Sequence, residues 1–523
     1  MELTERVKRA KEYDRKVYAE LMENPINLDE LFDAVVKTVR YNYVGYEQKK
    51  HYYNPAEYHT YIYSHFRYQS LTYEMLVRSL HQFLGDMHDR RLRLLCDDWI
   101  DYRNLSPRYR VRAFGEDALY VTQVSPGSGL NVGDIIRKVQ GMTPEKVRAL
   151  TRHTCFYNAE RERELWGGYL RMARSLDVER ADGHIEKIQV SPLPAAEDPR
   201  TPAERYPSQI RICSQTATST DEGDTVILQI GWLDPDMISG WISEYGQRIG
   251  KARKLILDLR TCAGGEEGAG WDLFPYLVDG PTKLSSLIAD EGSYVLCTKN
   301  NCDARIAQLE AFRTALEAQQ QSAPYLSREE QAPGQESRKE QGNGKESQEE
   351  GTTSQEIMAE QARNHPQMEK SESPQDPEIL MQRALLDHEL KFYRDHYGKG
   401  LVYREPDPIE EEEILPAPEA PAKIVLLTDT YCEKEGEQFA AMCQRCGSRV
   451  TTIGRPTMGT LDYSDNIELK IHEHMTLSYP IRMTRAAFEG RGISEKGLPV
   501  DRYIAWSPQE LERDVVLEQA LAL

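Results

Sequence analysis

The sequence is short of several features, and each shortage excludes something. No run approaches 18 consecutive apolar residues, so no membrane-spanning helix is expected. The opening stretch, MELTERVKRAKEYDRK, lacks the apolar segment of a secretory signal, and residence in the cytoplasm is the expectation. Positive charge is in deficit: 65 Lys and Arg stand against 85 Asp and Glu, a net charge of −20. Nucleic-acid binding needs a basic footprint, and this balance argues against it. Cysteine is sparse, with nine in 523 residues, which fits reduced thiols better than a disulfide framework. Apolar residues reach only 39%, and the mean hydropathy is −0.65. Such a chain is expected to leave part of itself unfolded. Its length suggests about three domains.

What is present falls into blocks. Leu28, Leu31, Phe32, Val35, Val36 and Val39 form a helical stripe behind Asn27, a suitable N-cap. Leu76, Val77, Leu80 and Leu84 form another, which Gly85 is expected to stop. The tyrosines between them, Tyr52 to Tyr68, read as a packing layer. Residues 1–105 are therefore expected to be an N-terminal helical region. From 106 to 195 the signal changes to short strands and tight turns, including a hairpin across Asp182-Gly183. Val226–Ile230, Leu255–Leu259 and Lys423–Thr428 are continuous apolar runs of strand length, the pattern of strands buried on both faces. With helices between them they give α/β punctuation over 220–319 and 421–523. An insertion interrupts this block. Between Ser327 and Glu356 the sole residue of the AVILMFWYC set is Ala332. Residues 320–376 are expected to be a disordered acidic, Gln-rich insertion, and 377–420 a helix with a Pro/Glu-rich linker. Limited proteolysis should therefore cut first within 320–376 and leave the flanking parts associated. Strong hydrogen-exchange protection there would contradict this.

Several motifs follow one another in a familiar order. LGDMH (84–88) precedes GLNVGDIIRKVQG (129–141) and LILDLRTCAGG (255–265). After the insertion come IVLLTDTYCEKEGEQFA (424–440), TIGRPTMGTLDYS (452–464) and the ending GLPVDRYIAWSPQELERDVVLEQAL. This order resembles the carboxy-terminal-processing, or tail-specific, serine peptidase family, over most of the chain outside the insertion. The resemblance implies an α/β fold: a crotonase/ClpP-like core of ββα units, a small PDZ-like β domain over 106–195 and an N-terminal helical region.

It also implies roles. Gly264 and Gly265 fall where glycines let backbone N–H groups approach a developing oxyanion, with Glu435 as a further backbone donor. His88 falls where some relatives carry a histidine acting as base toward the nucleophile. Tail-specific members use instead a lysine in the segment corresponding to TMGT, and Met458, Gly459 and Thr460 supply none. The sharpest departure is at the nucleophile. The family frame resembles Asp-x-x-Cys-x-Ser-x-x-Glu. Asp429, Cys432 and Glu437 keep that frame, and Lys434 stands at the serine position. An ammonium flanked by Glu433 and Glu435 is no acyl-transfer nucleophile. Cys432 reads as a packing residue of the frame, since the thiolate is the attacking form and Glu433 opposes it.

No cofactor is expected. Cys443-x-x-Cys446 with Cys297 and Cys302, or His472 with His474 along one strand face, falls short of a closed metal shell. The expected function is a peptide-binding or strongly impaired peptidase homologue, whose partners are peptides or unfolded protein segments rather than nucleic acid or membrane. The alternatives are an active serine-type endopeptidase and a partner-recruiting assembly protein.

Overall fold

The computed structural model describes residues 28–52, 54–67, 73–96, 105–106, 109–125, 127–151, 164, 166–170, 173–190, 193–194, 206–213, 224–329, 377–406, 412–494 and 496–523. Two compact units result: residues 1–296 with 401–523, and residues 297–400. Among the described residues, no helix is long and apolar enough to cross a membrane.

The centre of the first unit is a sheet in the order Arg502–Tyr503, Val450–Gly454, Lys423–Thr428, Lys254–Asp258, Thr225–Gln229, Gln209–Cys213. Its pairings are parallel except for the antiparallel edge strand Gln209–Cys213. Alternate side chains enter two different cores. Val226, Leu228, Leu255, Leu257, Ile424 and Leu426 pack with the helices Pro235–Lys251 and Glu435–Gln444. Ile227, Ile256, Val425, Leu427 and Ile453 pack under the terminal helix Val515–Ala522. That double burial is why these strands read as unbroken apolar runs. The longer helix starts where Asp234 accepts a hydrogen bond from the Met237 N–H at 3.2 Å, with Pro235 in its first turn.

The helices Leu28–Asn42, Pro55–Arg67 and Tyr73–Asp86 precede the strand Arg93–Cys96, which pairs with Met475–Thr484. The Tyr73–Asp86 helix continues through Gly85, where the sequence predicts a stop; the left-handed residue falls later, at His88 (φ 49°). Asn27, Tyr53 and Tyr68 lie outside the described residues. The predicted packing tyrosines divide: Tyr58 is buried and donates to Asp86 Oδ2 at 2.6 Å, while Tyr61 and Tyr63 are exposed.

Tyr109–Ala113, Leu119–Val124, Ile135–Val139, Ser175–Glu179 and Ile185–Gln189 form a sequential antiparallel sheet. It has its own core, including Val121, Ile136, Val147, Trp166 and Leu176. The hairpin predicted across Asp182-Gly183 is present, with Gly183 at φ 85°.

In the second unit the helices Lys299–Glu329 and Pro377–Asp395 pack together, with an Arg394–Glu310 ion pair at 2.7 Å. The first helix extends to Glu329, beyond the predicted boundary at 320. Residues 330–376, the body of the predicted insertion, lie outside the described residues.

Candidate functional site

The site grows from the carboxyl ends of the parallel strands. Strand Lys423–Thr428 runs directly into Asp429, a buried carboxylate. Asp429 is bonded by the Arg112 guanidinium, by Arg455 Nη2 at 2.8 Å and by the Thr430 N–H at 2.6 Å. Burial pushes its carboxyl up, yet the Arg112 and Arg455 charges outweigh this and hold it well below the usual carboxylate range. Arg455 also binds Glu510 at 2.8 Å.

The chain then turns sharply. The Cys432 N–H donates to the Asp429 carbonyl at 2.9 Å, and the Glu433 N–H to the Cys262 carbonyl at 3.0 Å. Lys434 follows at φ 56°, ψ −126°, and the helix Glu435–Gln444 begins. A lysine in this sparsely populated region stores strain of about 1–3 kcal/mol. Strand, strained residue, helix is the geometry that presents a nucleophile above a sheet. The Lys434 side chain is exposed, and the Lys434 backbone N–H donates to Thr460 Oγ1 at 2.9 Å.

The glycine loop abuts this turn. A Cβ on Gly436 would lie 2.6 Å from Cys262 Sγ, so the helix can start this close to the loop only with glycine there. Gly264 and Gly265 sit at φ 139° and 145°. The Leu233 N–H donates to the Gly264 carbonyl at 2.9 Å. Among the described residues nothing accepts from the Gly264 or Gly265 N–H. Both N–H groups are thus left without a protein acceptor among the described residues. The Glu435 carboxylate lies against this loop: a Cβ on Gly264 would be 2.9 Å from Glu435 Oε2 and 3.6 Å from the Lys434 Cδ.

Glu437, fully buried, fastens the TMGT segment to this helix. Its carboxylate accepts from the Thr457 hydroxyl, the Gly459 N–H at 2.7 Å, the Thr460 N–H at 2.6 Å and the Thr460 hydroxyl at 2.8 Å. Burial raises its pKa against the pull of those bonds. Thr460 is thereby held beside Lys434.

His88 lines a small cavity with Arg90, Gly459 and Thr460. Its carbonyl accepts from Lys49 Nζ at 2.9 Å, and Arg90 pairs with Glu433 at 3.5 Å. Thr460 therefore borders both His88 and the 434 turn. Cys432 is buried beneath the turn. Burial first, then Cys262 and nearby carboxylates, pushes its thiol far above the ordinary value, and burial pushes Cys262 up to about 12. Neither supplies a thiolate.

Cys443 and Cys446 are buried thiols, both raised chiefly by burial. Among the described residues no group of three or more His, Cys, Asp or Glu could hold a metal. The reading of His472 and His474 as strand neighbours is corrected. His472 ends the strand Tyr463–His472, His474 lies in the turn before Met475, and their rings are 5.8 Å apart.

Sequence reasoning missed Arg112, Arg455 and Arg90. The alternation of Arg110 and Arg112 along one strand was the available signal, but nothing local names Asp429 as the partner.

Comparison with known proteins places the chain in a class. The family model described as Peptidase family S41 matches residues 235–504, over half the chain. The protein belongs to peptidase family S41. Among solved structures it is similar to mature CPAF complexed with lactacystin, at 14% identity and TM-score 0.57, covering 95% of this chain and 96% of that one. A second structure of mature CPAF gives 13% identity and TM-score 0.57, covering 94% and 95%. At such identities the likeness is one of fold. No match was found among curated proteins.

Proposed function

We propose that this S41 chain is a peptide-binding homologue with strongly impaired or no peptidase activity. One observation carries the reading: the strained strand-to-helix turn is intact, and a lysine occupies it. A second supports it. Glu435 sets a carboxylate against the Gly264 loop, where acyl transfer needs to stabilise negative charge. The TMGT segment, tied down by Glu437, brings Thr460 rather than a lysine to the turn. A binding role needs only the groove and its backbone donors. We assign the five-stranded sheet over 109–189 to a PDZ-like module that binds or gates the peptide. The eight free cysteines among the described residues fit residence in the cytoplasm.

A fluorophosphonate probe tests this directly, because it labels activated serines. The wild-type protein is expected to stay unlabelled. Stoichiometric labelling at one serine would overturn the reading in favour of an active serine peptidase whose nucleophile lies elsewhere.

A further inference from the structure

A second cleft, of about 470 Å³, lies over the carboxyl ends of the parallel strands. Its size suits a small ligand or a short peptide segment. Its lining is polar and aromatic, with Arg110, Thr122, Gln123, Gln229, Tyr431 and Trp506 among it. Four arginines reach it, and three are committed to carboxylates. Arg112 is paired with Asp429. Arg455 holds Asp429 and Glu510, each at 2.8 Å. Arg260 holds Asp258 and Asp514, each at 2.7 Å.

Arg110 differs. Among the described residues it has no carboxylate and no side-chain hydrogen bond; its contacts are aromatic. The guanidinium lies 5.2 Å from the Tyr431 ring centroid and 6.0 Å from that of Tyr206. A guanidinium set against aromatic rings in cation–π contact, with the Arg112 guanidinium 5.0 Å from the same Tyr431 centroid, keeps its N–H groups available for a bidentate partner. The local backbone supports the placement. Arg110 and Arg112 are two apart on one strand, and the pairing with Leu119–Val124 shifts register between Arg110 and Val111. Irregularities of this type re-aim side chains and recur beside binding sites. In a chain of net charge −20, an arginine set in a cleft without a carboxylate partner is suited to receiving one.

We propose that this cleft, which adjoins the Lys434 turn through Asp429 and Tyr431, is a carboxylate-binding site in which Arg110 takes a carboxylate presented by a peptide. The inference rests on the peptide-binding reading for its ligand class. It concerns a neighbouring part of the candidate site, and Arg110 itself lies outside the 429–437 frame. The carboxylate could be an acidic side chain or a chain terminus, and both would seat on the same fork.

Isothermal titration of the full chain with three peptides tests it. The first is acetylated and amidated, with one central Glu; the second has Gln there; the third is the Gln peptide with a free carboxyl terminus. The Glu peptide or the free-terminus peptide should bind at least tenfold more tightly than the neutral one, and which of them does so identifies the source. Arg110→Gln should abolish that preference. If the Gln variant fails to fold, Arg110→Lys, which keeps the stem and charge, should still cost severalfold. Equal binding of all three peptides, no binding at millimolar concentration, or a preference unchanged in the Arg110 variants would overturn the proposal. Robust turnover by the wild type would instead sink the impaired-peptidase reading and leave this one standing.

Discussion

Lys434→Ser should give the protein a measurable peptidase activity, at least about 100-fold above the wild-type background, as a positioned general base contributes roughly 10²–10⁴-fold. The substitution puts a hydroxyl at the strained turn without moving the chain, because the backbone there (φ 56°, ψ −126°) is held from both sides. The Lys434 N–H is bonded to Thr460, and the Glu433 N–H to Cys262. The base would be His88, which shares a cavity wall with Thr460. Adding His88→Ala should return the activity to background. Adding Glu435→Ala should raise it, since the carboxylate beside Gly264 opposes an oxyanion. Activity retained in the Lys434→Ser, His88→Ala double variant would remove His88 from the account. A folded but silent Lys434→Ser protein would mean that no base reaches this turn; Thr460→Lys would then be the change needed.

Asp429→Ala should destabilise the protein by about 3–5 kcal/mol, the cost of leaving buried guanidinium groups without their carboxylate. Arg112 loses its partner outright, whereas Arg455 keeps Glu510. The damage spans the unit, because Arg112 belongs to the five-stranded sheet and Asp429 directly follows a strand of the central one. The pH dependence follows from the sign of the shift. The folded carboxyl is held below its unfolded value, so the unfolded state binds the proton more readily. The stabilisation is full above the unfolded value of about 3.9 and is lost as pH falls toward the folded one. Urea denaturation at pH 7 and near pH 3 should therefore show the gap between wild type and Asp429→Asn narrowing in acid. A gap that stays constant would show that the charge on Asp429 is not what stabilises the turn.

Much of the fold could be read from local pattern, because local pattern caused it. The central strands are apolar on both faces since helices cover both, and Val226–Ile230 and Leu255–Leu259 announce this without any partner in view. The Asp182-Gly183 hairpin announces itself through its turn. Where local and tertiary preferences conflict, the sequence misleads. Gly85 looks like a stop, yet the helix passes through it, and its neighbours Phe83, Leu84, Asp86 and Met87 are buried. His472 and His474 alternate like strand residues, but a tight turn separates them.

The candidate site divides in the same way. The frame Asp429, Cys432, Lys434 and Glu437 is legible because it is contiguous. Its electrostatics are not. Arg112 and Asp429 are 317 residues apart in sequence, and only the folded chain brings the guanidinium to the carboxylate. The attachment of Thr460 to Glu437 was equally hidden, since threonine and glutamate at that spacing are commonplace on any surface.

The most direct test of the central claim is hydrolysis of an unstructured protein substrate by the wild-type chain, with Lys434→Ala and Cys432→Ala beside it. The account predicts little or no turnover above the enzyme-free blank in any of the three, alongside measurable binding of the uncleaved substrate. Robust wild-type turnover that survives Lys434→Ala would contradict it and place a working nucleophile elsewhere. Turnover lost in Cys432→Ala would make the buried thiol that nucleophile.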